Sequence, residues 1–392
     1  MTTARMIRIT EFGSPDAMRL ETAELPPPGP GEAQVRQTAV GFNYIDVYQR
    51  KGVYPLPLPT GLGHEAAGVV EAVGPEVADL EVGDRVAYMN AGLGAYADIR
   101  NVPAAKAVKI PAEVTDEQAA SLLFKGLTAQ YLLKKTHAVQ PGDMVLVHAA
   151  AGGVGQILCR WAKALGAQVV GTTGSAEKCA IARAAGCDVA IDYTDPDWPD
   201  RLLKETGGRK ARVVYDSVGR DTFLKSLDCA APFGLVVVYG AASGPAPAIE
   251  PELLNKKGNL FLTRPSVFPH NADPAAFRAN ASDLFEAIAA GMVKVDIGRR
   301  FPLAEAAEFR QALAQAVAGA PLVAVRPQQA GEAFPGHRPR RVQRQIGEQH
   351  PRLPPRQGDL APARVGEREA AQQTKRRSVH APSGGACPST GP

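Results

Sequence analysis

Apolar positions in the first third of the chain come in short runs broken by proline and glycine. RMIRITEF, EAQVRQTAV, AAGVVEAVG, DRVAYMN, AYADIRNV and AAKAVKI are each of strand length, and PPPGPGE, PLPLPTGLG and EVGD punctuate them as turns. That rhythm predicts a mostly β domain over residues 1–125. After PAEVTDEQAAS it changes, and Thr115 or Asp116 is placed to cap a helix.

From about Gly142 to Arg264 apolar β-branched strands alternate with helical patterns. MVLVHAA, QVVGTT, DVAIDY, RVVYDSV, GLVVVYG and NLFLTRP are the strands. Between them lie GVGQILCRWAKALG closed by Gly166, SAEKCAIARAAG with Ser175 as N-cap and Gly186 at its end, PDWPDRLLKETGG and DTFLKSLDCA. Such alternation predicts βαβ units and an α/β fold with a doubly wound parallel sheet, covered on both faces, over residues 126–265. ADPAAFRANASDLFEAIAAG and LAEAAEFRQALAQAVAG are helical, VKVDIGRRFPL lies between them, and LVAVRP is a short strand that returns to the first domain, so residues 266–327 are assigned to it. Beyond Pro327 the chain is Arg, Pro, Gln and Gly with almost no residues able to form a core, and 328–392 is expected to be a disordered basic tail. A shift of reading frame near the end of the gene would give the same composition.

Composition adds limits. At 392 residues with 45% hydrophobic and 21% charged, the chain is that of a soluble protein of two or three domains, and no apolar run suits a membrane span. MTTARMIRITEFG has no apolar segment typical of a secretion signal, so the cytoplasm is the expected compartment. Five scattered cysteines, an odd number, suit free thiols. The net charge of +4 belongs to the tail, because Gln328–Pro392 holds 11 Lys and Arg against 5 Asp and Glu, leaving 33 against 35 elsewhere. The globular part therefore has no electrostatic reason to bind a polyanion.

The richest stretch is MVLVHAAAGGVGQILCRWAKALGAQVVGTT. A Gly-rich turn here joins a strand to a helix, so Gly152, Gly153, Val154 and Gly155 let a dinucleotide pyrophosphate reach a helix N-terminus. Ala150 stands where the fingerprint has its first glycine. The second strand ends on Thr173, Gly174 and Ser175, with Lys178 one turn on, rather than on the Asp or Glu that binds the ribose of NAD. No acid repels a 2′-phosphate there and a cation is available to pair with it, which favours NADPH over NADH. Tyr193 is placed to flank the same phosphate or the adenine.

GFNYID, GVYP, GLGHEAAGVV, GDRV, GAYAD, FKGLTA, HAAAGGVG, VVYDSVGRDT, LLNKKG and LTRPS occur in that order between Met6 and about Val325. In this the chain resembles the quinone oxidoreductases related to zeta-crystallin, within the medium-chain dehydrogenase/reductase superfamily. The family signature is met at Gly142, Asp143, Leu146, Ala150, Ala151, Gly152, Gly153, Gly155 and Lys163 and departs at Arg160. The resemblance implies a GroES-like β domain, a Rossmann-like cofactor domain with NADPH in the cleft between them, and a homodimer. It places Asn43 and Tyr54 near the nicotinamide and substrate and Lys125 and Thr128 on the cleft wall, with Asn43, Tyr54 and Lys125 as the catalytic candidates. Ser217, Tyr239, Ala241 and Arg264 line the cofactor by the same resemblance, which also makes Asn43 a cofactor contact.

GLGHEAAGVVEAVG also resembles the signature of zinc-dependent alcohol dehydrogenases, in which the histidine binds the metal. A catalytic zinc needs three protein ligands. At the position of the first, a cysteine in those relatives, this chain has Asn43, and no cysteine precedes Cys159. His64 is left alone, so no metal is expected; its neutral ring is read as a substrate contact, Glu65 as a polar anchor near the cleft, and Asp46 as a structural acceptor. Without a Lewis acid the acceptor must need little polarisation, as a quinone does, and Asn43 or Tyr54 would donate to its developing oxyanion. An enoyl reductase acting on α,β-unsaturated carbonyls is the nearest alternative. Nucleic-acid binding through the tail is a third reading, weakened by its single aromatic, Phe334, and the lack of a binding fold.

Overall fold

The computed structural model describes residues 1–294, 297–303 and 322–326. The first lobe comprises β1 (Thr2–Ile9), β2 (Met18–Leu25), β3 (Glu32–Gly41), α1 (Tyr44–Arg50), β4 (Thr60–Gly61), β5 (Glu65–Val73), β6 (Arg85–Met89), β7 (Ile99–Pro103) and β8 (Ala107–Lys109). A long helix, α2 (Asp116–Tyr131), leads out of it. The second lobe follows as β9 (Met144–Val147), α3 (Gly153–Ala164), β10 (Gln168–Thr173), α4 (Ala176–Ala184), β11 (Val189–Asp192), α5 (Trp198–Glu205), β12 (Ala211–Asp216), α6 (Phe223–Cys229), β13 (Ala230–Val238), α7 (Glu252–Lys256) and β14 (Phe261–Thr263). Then come α8 (Val267–His270), α9 (Pro274–Ala289), β15 (Ile297–Pro302) and β16 (Leu322–Arg326).

The second lobe is a six-stranded parallel sheet in the order β11-β10-β9-β12-β13-β14, as strands alternating with helices require. Its central strand β9 reads MVLV and is buried throughout, the all-apolar pattern of a strand covered on both faces. In the first lobe β15, β16, β3, β5, β6 and β8 form one sheet in that order, with β7 also pairing β3, and a small second sheet runs β2-β1-β4. β16 returns to β3 in antiparallel register, Ala324 opposite Gly41, which is the return expected of LVAVRP. The helix expected over LAEAAEFRQALAQAVAG and the tail from Gln328 lie outside the described residues.

Two elements were not anticipated. β2 pairs along its full length with β1 but reads MRLETAEL, where alternating charged residues hide the apolar rhythm. α1 is seven residues long and carries two tyrosines, too short and too aromatic to show a helical period.

α2 joins the lobes. Thr115 caps it: the Thr115 side chain accepts from the Gln118 N–H at 3.2 Å, and the Gln118 side chain accepts from the Thr115 N–H at 2.9 Å. From Ala119 onward it is buried on nearly every side, packing on β3, β5 and β6 in one direction and on α3 and α9 in the other. Gly126 lets α9 close in, since a Cβ there would lie 2.5 Å from a Leu284 methyl.

Candidate active site

A cleft of about 690 Å³ opens where the C-terminal ends of the second lobe's parallel strands face α1 and α2, the place where open α/β sheets bind ligands. Its floor in the second lobe is the turn between β9 and α3. Gly152 is the N-cap of α3, leaving the first N–H groups of a twelve-residue helix turned toward the cleft. A Cβ at Gly155 would lie 2.2 Å from the Ala149 carbonyl oxygen, so only glycine lets the helix start this close to the strand. Gly152, Gly153 and Val154 line the cleft, as does Ser217 in the turn after β12. That turn is held by Asp216, which accepts from the Val218 and Gly219 N–H groups, both at 2.9 Å, and from the hydroxyls of Thr222 and Ser226. The buried His148 ring continues the network, with Nδ1 2.6 Å from the Thr172 hydroxyl and Nε2 2.9 Å from that of Ser226.

Tyr239, Ala241 and Arg264 also face the cleft from the second lobe. From the first lobe and α2 come Asn43, Tyr54, Lys125 and Thr128. Gly174, Ser175, Lys178 and Tyr193 do not line this cleft. They gather at the end of β10: Ser175 caps α4 by accepting from the Lys178 N–H at 3.4 Å, and a Cβ on Gly174 would be 3.0 Å from the Tyr193 hydroxyl.

At the first-lobe end a buried carboxylate organises the wall. Glu65 has no exposed surface; its Oε2 accepts from the Phe124 N–H at 2.6 Å and its Oε1 from Asn43 Nδ2 at 2.8 Å, with Lys125 Nζ 3.3 Å away. Burial pushes the Glu65 carboxyl above its ordinary range, against the opposing pull of Lys125 and these N–H donors. Lys125 also donates to the Phe42 and Ser121 carbonyls, at 2.6 and 3.2 Å, so its three N–H bonds all point into protein. Glu65 is thus the polar anchor anticipated from its position. Asp46 is a structural acceptor, taking the Asn43 N–H and the Tyr96 hydroxyl, each at 2.9 Å, and its burial raises its pKa to about 6.

His64 is a correction to the sequence reading. Burial lowers its pKa to about 4, so the ring is neutral, but it does not line the cleft. Its Nε2 lies 3.0 Å from Gln49 Oε1, and it packs on the rings of Phe124 and Phe268, which are the cleft wall in its place. Among the described residues there is no group of three or more His, Cys, Asp or Glu able to hold a metal.

The sequence reading missed the aromatic lining. Tyr44 and Tyr48, one turn apart on α1, meet edge to face at 4.8 Å, and Tyr48 meets Tyr54 at 5.3 Å. The Tyr48 hydroxyl donates across the cleft to the Ala241 carbonyl at 3.1 Å. Tyr131, stacked on His270 at 4.4 Å, completes the wall with Phe124 and Phe268. The spelling N-x-x-D at Asn43–Asp46 was the available signal for α1, and with it for the stripe Tyr44–Tyr48.

Residues 153–279 match the family model described as zinc-binding dehydrogenase, and residues 29–112 that of the alcohol dehydrogenase GroES-like domain. The quinone oxidoreductase of Pseudomonas aeruginosa is 46% identical over 312 residues, covering 79% of this chain and 96% of the relative. A 2-haloacrylate reductase of Burkholderia sp. is 45% identical over 307 residues, 76% of this chain and 92% of the relative. The crystal structure of Escherichia coli quinone oxidoreductase complexed with NADPH superposes with a TM-score of 0.79 at 42% identity, covering 83% of this chain and all of that one.

Proposed function

The chain belongs to the quinone oxidoreductase family of the medium-chain dehydrogenase/reductase superfamily, and on that premise we propose that it reduces quinones with NADPH, without zinc. The observation that carries this is one cleft with a pyrophosphate cradle, the Gly152–Gly155 turn, at one end and flat aromatic walls around the Asn43 amide at the other. Bound NADPH supplies the hydride.

The chain's own residues do the rest. The α3 N-terminus receives the pyrophosphate, and Lys178 and Ser175 at the end of β10 meet the 2′-phosphate. Tyr54, Phe124 and Phe268 hold a planar acceptor and keep water from it, while Asn43 and Tyr54 donate to the oxygen that gains charge. The zinc-free reading rests on the donor set: an amide at 43 and a histidine turned toward Gln49 are not a ligand shell. A homodimer fits the edge strand β14, whose Phe261 is 62% exposed, and the cytoplasm remains the expected compartment. Among the described residues no helix is long and apolar enough to cross a membrane.

Steady-state oxidation of NADPH with an ortho-quinone and with an enone, on protein analysed for zinc, tests the reading. Turnover of the quinone by metal-free protein is expected. Stoichiometric zinc required for activity would overturn the mechanism. Preference for the enone would favour the second reading, an α,β-unsaturated carbonyl reductase, which the likeness to a 2-haloacrylate reductase supports.

A further inference from the structure

The Asn43 side chain can face the cleft in two ways, with its amide nitrogen or its oxygen turned toward protein. Only the first suits its surroundings. Every group that reaches the Glu65 carboxylate is a donor: the Phe124 N–H, Asn43 Nδ2 and Lys125 Nζ. An ionised carboxylate accepts and cannot donate, so the Asn43 oxygen cannot take the place of Nδ2 against it. One Nδ2–H is thereby committed to Glu65 and the side-chain oxygen faces the Asp46 backbone N–H in the capping box of α1, so the second Nδ2–H remains for whatever lies in the cleft that Asn43 lines.

The surroundings of Glu65 are built for this. Gly41 makes room for it, because a Cβ there would lie 2.4 Å from Glu65 Cγ and 2.5 Å from Oε1. The carboxylate is gripped from two elements, the chain entering α1 and the middle of α2. Lys125, with its three N–H bonds already directed at Glu65 and two carbonyls, has none left for a substrate in this arrangement.

We infer that Glu65 is a positioning residue for the reaction, fixing which way round the Asn43 amide faces the cleft, and that Lys125 serves as its counter-ion rather than as a proton donor. The inference rests on the proposed function and deepens it, since it says how the Asn43 N–H that joins Tyr54 at the acceptor oxygen is held in place.

The test is a double-mutant cycle with Glu65→Gln and Asn43→Ala, read as kcat, KM for the acceptor, NADPH affinity by fluorescence titration, and thermal midpoint. In Glu65→Gln only one acceptor oxygen is left; the Phe124 backbone N–H is fixed and takes it, so the new amide nitrogen opposes Asn43 Nδ2 and the Asn43 amide loses its fixed orientation. A fall in kcat of about 100-fold or more is expected, the size seen when one oriented donor is lost, with NADPH affinity within about threefold of wild type. If Glu65 acts through Asn43, the double variant is no slower than Asn43→Ala alone within about threefold. Losses that multiply would overturn the inference, as would Glu65→Gln turning over at the wild-type rate. Asn43→Ala removes the amide while keeping the carboxylate, so the cycle remains readable if Glu65→Gln is less stable.

Lys125 is tested in the neutral pair Glu65→Gln/Lys125→Met, which leaves no buried charge unpaired. A counter-ion gives a pair about as active as Glu65→Gln, whereas a further fall of about tenfold or more would identify Lys125 as an acid and refute its assigned role. All rates are measured on the acceptor that wild type reduces. A wild type that reduces only enones refutes the quinone reading, while the coupling between Glu65 and Asn43 is still measured, on the enone, and still decides the role of Glu65.

Discussion

Gly155→Ala tests the cofactor cradle at its tightest point. The added methyl would sit 2.2 Å from the Ala149 oxygen and 2.9 Å from Ala150 Cα, both backbone atoms that cannot rotate away. An ordinary carbon–oxygen contact needs about 3.3 Å, so the start of α3 must move from the end of β9 by about 1 Å. A shift of that size carries an N–H···O bond of about 2.9 Å out of range. Losing two such bonds to a charged phosphate, at about 1.5 kcal/mol each, weakens NADPH by about 3 kcal/mol, roughly 150-fold in Kd. Fluorescence titration with NADPH measures this, with circular dichroism to confirm that the variant is folded. Gly13→Ala is the control, because its nearest neighbour would be the Ala17 Cβ at 4.0 Å, and it should bind as wild type does. A folded Gly155→Ala protein with NADPH affinity within about threefold of wild type would refute the placement of the pyrophosphate on this turn.

Three further outcomes are expected. Lys178→Glu should cost NADPH about tenfold or more in affinity while leaving NADH nearly unchanged, since only the former carries the 2′-phosphate; parallel titrations decide it, and equal losses would remove Lys178 from the site. His64, with its native pKa near 4, leaves the folded state short of a proton that the unfolded chain binds up to about 6.5, so its contribution to stability rises with pH over that window. Asp46, raised to about 6, holds a proton that the unfolded chain releases near 3.8, so its contribution falls with rising pH. Each effect is about 3 kcal/mol and the two oppose, so urea midpoints of wild type should vary little between pH 4 and 6; in His64→Gln they should fall with pH and in Asp46→Asn rise, and profiles matching wild type in both would contradict these burial effects. Phe261→Lys, placing a charge at the edge of β14, should convert a dimer to a monomer in sedimentation velocity, whereas an unchanged dimer would move the interface elsewhere.

The sequence made the second lobe readable because its strands are apolar throughout and its helices end on Gly166 and Gly186, both with positive φ. Asn43, Tyr54, Lys125, Ser217 and Arg264 all reach one cleft although they are far apart in the chain. That convergence came from the resemblance, because nothing in local periodicity brings residue 43 to residue 264. Tyr48 was not legible because its role depends on a carbonyl nearly two hundred residues away. His64 illustrates the opposite error: its spelling pointed to the substrate, while Phe124 and Phe268, unremarkable in sequence, occupy the wall instead.

The return of β16 to β3 fixes an order of assembly during synthesis. The six-stranded sheet lies in one uninterrupted stretch from Met144 to Thr263 and can close as soon as that stretch has left the ribosome. β3 was made long before, yet its partner opposite Val40 and Gly41 is almost the last described piece of chain to emerge. β7 covers the start of that side of β3, from Glu32 to Arg36, but until β16 arrives the end that leads into Phe42 and Asn43 waits unpaired there, against the usual order in which the N-terminal part of a nascent protein is completed first. The nucleotide end of the cleft can therefore form first, and the acceptor end is finished only after the chain has been made as far as β16.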